Sequence, residues 1–185
     1  MSARKNTSKK KSETTLAELR SELSSSRPEA WDQIPDIDLY MDQVIMFMQR
    51  QHIGLEISSE ETLTSAMINN YIKSGILPRA NGKKYSREHI GYLTAICLLK
   101  QILSVSDTGA LLAKKMENED ISVFYDEYKK VLDREYSAVA EKLKGCDTES
   151  KMADAALELA VSSYAQKLAC QQLVDMLDRK NGSEE

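Results

Sequence analysis

Disulfide chemistry, turn-rich β architecture and histidine catalysis are all poorly supplied in this chain of 185 residues. Its three cysteines are Cys97, Cys146 and Cys170, and the nearest two stand 24 positions apart. An odd and scattered set offers neither a disulfide framework nor a CxxC metal knuckle. Seven glycines, three prolines and 6% aromatics are few for an all-β protein, which needs many turns, so an α-rich fold is the first inference. The only histidines, His52 and His89, lie 37 positions apart and leave little for a metal site or catalytic dyad. Five positive charges in the first twelve residues are followed by no apolar run, and no uncharged stretch reaches about 18 residues. Neither a signal peptide nor a membrane span is expected, and the chain reads as cytoplasmic. No paired-carboxylate, Ser-His, Cys-His or phosphate-loop arrangement is found, and Gly75 and Gly82 form no nucleotide fingerprint. The expectation is a non-enzymatic protein without cofactor or metal.

What is present is an ordinary soluble balance, 42% hydrophobic and 29% charged, in a chain long enough to bury a real core. The net charge of −4 hides a segregation. Residues 1 to 61 hold 8 basic and 11 acidic groups, and residues 104 to 185 hold 11 and 17, whereas residues 62 to 103 hold 6 and 1. A block whose single acid is Glu88, inside an acidic protein, is a candidate polyanion-binding face.

Periodicity divides the chain further. Residues 1–30 read as a disordered or weakly helical tail in which Leu16, Leu19 and Leu23 fall at helical spacing, with Ser24 to Pro28 as a linker. From Ile37 the stripe Ile37, Tyr40, Met41, Val44, Ile45 and Met48 predicts a helix capped by Asp36 or Asp38. A connection through His52 and Gly54 leads to a second helix, from about Glu60 to Ser74, stopped by Gly75. Asn81-Gly82 predicts a tight turn between the basic arms Arg79, Lys83 and Lys84. Ser86 caps a long apolar helix, and Ser106 is expected to cap a shorter one to about Met116. Helices over about 120–144 and 149–179 follow, joined at Gly145-Cys146-Asp147 as an antiparallel hairpin. Cys97, on the apolar stripe, is expected to be an inert core residue, and Cys146, in the turn, to be exposed.

On a helical wheel over 63–74, Leu63, Thr64, Met67, Ile68, Tyr71 and Ile72 fill one half-circle. The other half holds Ser65, Ala66, Asn69, Asn70 and Lys73, with no acid at all. Small hydrogen-bonding side chains and one cation suit a helix laid in the DNA major groove, where an asparagine amide pairs with adenine N6 and N7. Arg79, Lys83, Lys84 and Arg87 would then take phosphates from a wing-like loop. On this reading the DNA contacts are Ser65, Asn69, Asn70, Lys73, Arg79, Lys83, Lys84 and Arg87, while Tyr71 and Tyr85 pack in the core and His89 sits in the first turn of its helix.

The stretch Met67 to Leu112, with YIKSGILPRANGKKYS at its heart, resembles the winged-helix headpiece of the MerR family of bacterial transcription regulators. The likeness places that family's helix-end tyrosine at Tyr71, its glycine and two following apolar residues at Gly75, Ile76 and Leu77, its wing arginine at Arg79 and its wing-end aromatic at Tyr85. Asn69 stands where those proteins carry an arginine two residues before the tyrosine, and Asn70 where they carry an aromatic, so either the docking differs in detail or the helix no longer reads DNA. The longer segment Trp31 to about Leu112, with IPDIDLYMDQV and LTSAMINNYIKSGILP, resembles an uncharacterised bacterial family defined only as a domain of unknown function.

Together these readings predict an all-α protein with a tail at 1–30, a MerR-like winged helix-turn-helix headpiece at 31–117, and an antiparallel helical hairpin at 118–180 for dimerisation or effector binding. The expected function is sequence-specific binding of double-stranded DNA by a transcription regulator, as a homodimer through residues 120–179. The alternative is a protein-interaction module that keeps the winged-helix shape without binding DNA.

Overall fold

The computed structural model describes residues 15–51 and 63–181. The order is α1 (Leu16–Ser25), a short 3-10 turn (Trp31–Gln33), β1 (Leu39–Tyr40), α2 (Met41–Met48), α3 (Ser65–Lys73), β2 (Lys84–Tyr85), α4 (Arg87–Leu99), α5 (Val105–Lys115), α6 (Ile121–Lys142) and α7 (Glu149–Asn181). The protein is mainly helical, and β1 and β2 form a small antiparallel sheet with Leu39 opposite Tyr85 and Tyr40 opposite Lys84. The expected connection through His52 and Gly54, the start of the second helix near Glu60, and the basic residues 4–11 lie outside the described residues.

The main core is built around α4. Ile90, Leu93 and Ile96 are fully buried there, facing Val44 and Met48 of α2, Ile68 and Tyr71 of α3, and Phe124 and Tyr125 of α6. Burial of such side chains is worth about 1.5–3 kcal/mol each, which makes α4 the central support of everything around it. The Tyr125 hydroxyl donates to the Glu29 carbonyl at 2.8 Å, and the Glu29 amide donates to Gln51 Oε1 at 2.8 Å. The segment entering the core is thereby held from both α6 and the end of α2.

Several boundaries differ from the periodicity reading, each for a local reason. The helix expected from Ile37 begins at Met41, because Leu39 and Tyr40 are spent on pairing with β2; Ile37 stays 69% exposed, and Gln43 Oε1 accepts the Tyr40 amide at 2.9 Å. The cap of α5 is Ser104 and not Ser106. Ser104 Oγ accepts the Asp107 amide at 3.0 Å while Asp107 returns a bond to the Ser104 amide, a reciprocal cap that Ser106, with Gly109 three residues on, cannot close.

Within residues 1–30, expected as a disordered or weakly helical tail, the described part carries a helix that packs on α6. Residues 16–25 form a capped helix: Thr15 Oγ1 accepts the Glu18 amide, and the Glu18 carboxylate accepts the Thr15 amide. Leu16, Leu19 and Leu23 lie on a second, smaller core with Ala140, Leu143 and Cys146. Arg27 fastens the exit of α1 by an ion pair with Asp133 and by stacking 5.0 Å over the Tyr136 ring. Cys146, expected at the surface, is buried in this cluster.

The hairpin of α6 and α7 turns at Gly145, whose φ of +85° suits glycine. The two helices touch near that turn, through Ala155 and Leu159 and a Lys142–Glu158 ion pair at 2.7 Å. The far half of α7 lies instead against α5, where the two helices border a groove of about 660 Å³ lined by Leu111, Ala169, Leu173 and Leu177. The hairpin therefore returns onto the protein's own headpiece rather than standing apart as a closed pair.

Candidate nucleic-acid interface

The segment α3–β2–α4 sets out the acid-poor block in space. Thr64 starts α3, its Oγ1 accepting the Met67 amide at 3.2 Å. Along the helix Ile68 and Tyr71 are buried and Met67 and Ile72 half-buried, while Ser65, Ala66, Asn69, Asn70 and Lys73 are all exposed. The helix ends on a double closure: the Gly75 amide donates to the Ile72 carbonyl at 3.1 Å and the Ile76 amide to the Tyr71 carbonyl at 3.1 Å. Gly75 has φ +75°, and buried Ile76 folds back toward buried Tyr71, so the chain leaves α3 in a defined direction.

That direction leads to the basic loop. Asn81 and Lys84 exchange backbone hydrogen bonds of 3.0 and 3.1 Å around Gly82 and Lys83. Gly82, at φ +64°, takes the first central position of the turn, which glycine alone fills without strain. Arg79, Lys83 and Lys84 are exposed, and none of them, nor Lys73, forms an ion pair among the described residues. Lys84 lies 5.7 Å over the ring of Tyr40, its partner across the sheet, which stiffens a long side chain that would otherwise range freely.

Two charged residues of the block leave this face. Arg87 turns inward: its guanidinium sits 6.0 Å over Trp31, Nη2 is 3.5 Å from Asp36, and Nε is buried without a hydrogen-bond partner. Glu88, the block's one acid, borders a separate polar cleft of about 330 Å³ with Asp36, Asp38 and Asp120. Among the described residues of the exposed α3 face and the loop, the charged side chains are all positive, and Glu88 lies with Asp36, Asp38 and Asp120 at the cleft.

The loop is held at its root by His89, a residue that helical spacing marked only as a first-turn position. His89 is buried and meets Tyr85 edge-on, ring centroids 5.4 Å apart. Its Nδ1 faces the Ser86 amide at 3.0 Å and the Ser86 hydroxyl at 2.9 Å, and its Nε2 faces the Arg79 carbonyl at 3.2 Å. The available signal was the Ser86-x-x-His89 spacing, in which histidine occupies the place usually taken by Glu or Gln in a reciprocal cap. Burial raises the Tyr85 hydroxyl pKa above its ordinary value, consistent with a packing role for that ring.

Among the described residues no group of three or more His, Cys, Asp or Glu side chains is placed to hold a metal ion, and no helix is long and apolar enough to cross a membrane. Cys97 is half-buried on α4, and desolvation pushes its thiol up to about 12.

Fold and surface together define a mainly helical protein in which one short helix and a glycine turn present a face without acids among the described residues. The model of the family described as Domain of unknown function (DUF1836) matches residues 29–130, and the chain belongs to that family. No curated protein and no solved structure matches it.

Proposed function

We propose that the protein is a sequence-specific DNA-binding protein acting as a transcription regulator, with α3 in the major groove and the loop 79–85 on the flanking backbone as a wing. The observation that carries this reading is the exposure together of Ser65, Asn69, Asn70 and Lys73 on α3 and Arg79, Lys83 and Lys84 on the loop, a set with cations and no acid. Asparagine amides supply the paired donor and acceptor that adenine offers in the major groove, and the loop cations supply position and affinity without sequence information. The reading follows the resemblance to a MerR-like headpiece, with Asn69 in the place of a cation, so that base reading would pass to amides. Arg87 is assigned to the Trp31 side of the headpiece and not to phosphate.

A homodimer through residues 120–179 completes the reading. Supporting it, α7 leaves Leu157, Val161, Tyr164 and Leu168 exposed on one stripe at helical spacing, with Tyr164 at 71%. Two-fold pairing would present two copies of α3 to half-sites of a symmetric operator.

The deciding experiment is selection of genomic fragments by the purified protein, run beside Asn69→Ala and the double variant Lys73→Glu/Lys84→Glu. Enrichment of one two-fold-symmetric site by the parent, weakened or broadened by Asn69→Ala and lost in the double variant with helical circular dichroism unchanged, supports the proposal. Equal binding by parent and double variant would sink it.

A further inference from the structure

We infer that His89 is the positioning residue of the wing, and that its protonation releases one end of the loop and weakens DNA binding; the second half of this inference rests on the DNA reading above. A single imidazole ties both ends of residues 79–86. At the loop's entry Nε2 meets the Arg79 carbonyl, and at its exit Nδ1 meets the Ser86 amide. A carbonyl can only accept and an amide can only donate, so the two contacts together require one form of the ring, neutral with its proton on Nε2. The imidazolium carries a proton on each nitrogen. It keeps the bond to Arg79 and loses the bond from the Ser86 amide, whose N–H it then opposes, while the Ser86 hydroxyl, 2.9 Å from Nδ1, must turn from donor to acceptor.

The surroundings favour a switch governed by these contacts. From β2 the ring faces Tyr85, edge-on, while the exposed ammonium of Lys84 lies over the Tyr40 ring. Arg79 offers its carbonyl while its side chain is exposed. On α4 itself Glu88 points into the acidic cleft and Arg87 toward Trp31 and Asp36. The elements α2 and α6 meet α4 through Val44, Met48, Phe124 and Tyr125, and of these only Tyr125 titrates, its hydroxyl pushed up to about 12 by burial. No carboxylate ion-pairs with His89 among the described residues, so the acceptors facing the imidazolium are neutral, the Arg79 carbonyl and the Ser86 hydroxyl.

The sign of the effect separates this device from simple electrostatics. An added positive charge near a DNA-binding face strengthens binding as pH falls, whereas release of the wing weakens it. Two measurements on the full chain, as parent, His89→Gln and His89→Ala, keep the latch and the DNA reading distinguishable. Glutamine presents an oxygen to the Ser86 amide and an N–H to the Arg79 carbonyl, and does not titrate. Without DNA, amide NMR signals of residues 80 to 86 should move together with the His89 ring signals as pH falls from about 8 to about 5. In His89→Gln they should stay still, and in His89→Ala they should start from the released positions. If wing signals in the parent do not follow the His89 ring, the latch is wrong whatever the protein binds. With a selected DNA fragment, affinity of the parent should fall roughly tenfold over that range, the scale of one hydrogen bond, while His89→Gln stays constant. Parent affinity that rises on acidification overturns the proposed coupling to DNA, and a latch seen by NMR in a protein that binds no DNA leaves the positioning role standing and removes the DNA reading alone.

Discussion

Trp31 lies against the bare backbone of Gly91, so close that a Cβ at position 91 would stand 2.8 Å from Cζ3 of the indole. The same indole packs against Tyr125 with ring centroids 5.5 Å apart and carries the Arg87 guanidinium on its face. A glycine inside α4 thus makes room for the segment that delivers β1 and α2. Elsewhere in a helix, glycine to alanine gains up to about 1 kcal/mol. Here Gly91→Ala should instead destabilise by about 1–3 kcal/mol, the cost of overpacking a filled core. Urea unfolding followed by circular dichroism checks this, and a midpoint at or above that of the parent contradicts the packing described.

Gly75 governs the exit from α3 in a different way, by backbone angle and not by space, since nothing lies within 4 Å of its missing Cβ. At φ +75° an L-residue with a side chain costs about 1–2 kcal/mol. Gly75→Ala should lose that amount, and Gly75→Asn should lose less, because asparagine tolerates the left-handed region. Equal losses for the two variants would show that the turn relaxes rather than holds.

Salt dependence tests contact number and assembly together. If each subunit of a dimer neutralises about three phosphates, log K against log salt should slope by roughly −5, at about −0.9 per phosphate. Leu157→Asp/Tyr164→Asp places charge in the exposed α7 stripe. This variant should run as a monomer by light scattering, with a slope near −3. A parent that is itself monomeric at micromolar concentration removes the dimer from the proposal.

Cys97 supplies a readout of core opening. Burial pushes its thiol up to about 12, so at pH 8 the thiolate that reacts with alkylating reagents is scarce in the folded protein. Mass spectrometry after brief treatment with iodoacetamide should find Cys97 unmodified in buffer and fully modified in urea. Modification in buffer at the rate of a free thiol would mean that α4 opens far more readily than its burial implies.

Much of the architecture was legible because local signals were strong. Gly75 after an amphipathic run, Ser86 before an apolar one, and Asn81-Gly82 between cations each carry a backbone requirement that sequence displays directly, and the two faces of α3 follow from a wheel. The missed features depend on partners distant in the chain. Ile37 matches the α2 stripe, yet strand pairing between Leu39 and Tyr85 decides where that helix starts. Leu16, Leu19 and Leu23 look too few to hold a helix until the end of α6 supplies Ala140 and Leu143. Arg87 reads as one more cation of the wing, and only the position of Trp31 turns it away. His89 was placed in the right turn but without its role, because the Arg79 carbonyl it holds is set by the return of the loop.

The 33 residues of α7 span from the small core at Ala155 and Leu159 to the flank of α5 at Leu111. A fragment trimmed to the family boundaries at 29–130 would lose that brace at one end and α1 at the other. Its fifth helix would be left with a bared oily flank, and the truncated piece should be prone to self-association for reasons unrelated to its biology. Work on the headpiece therefore calls for the far end of the last helix to be kept in place.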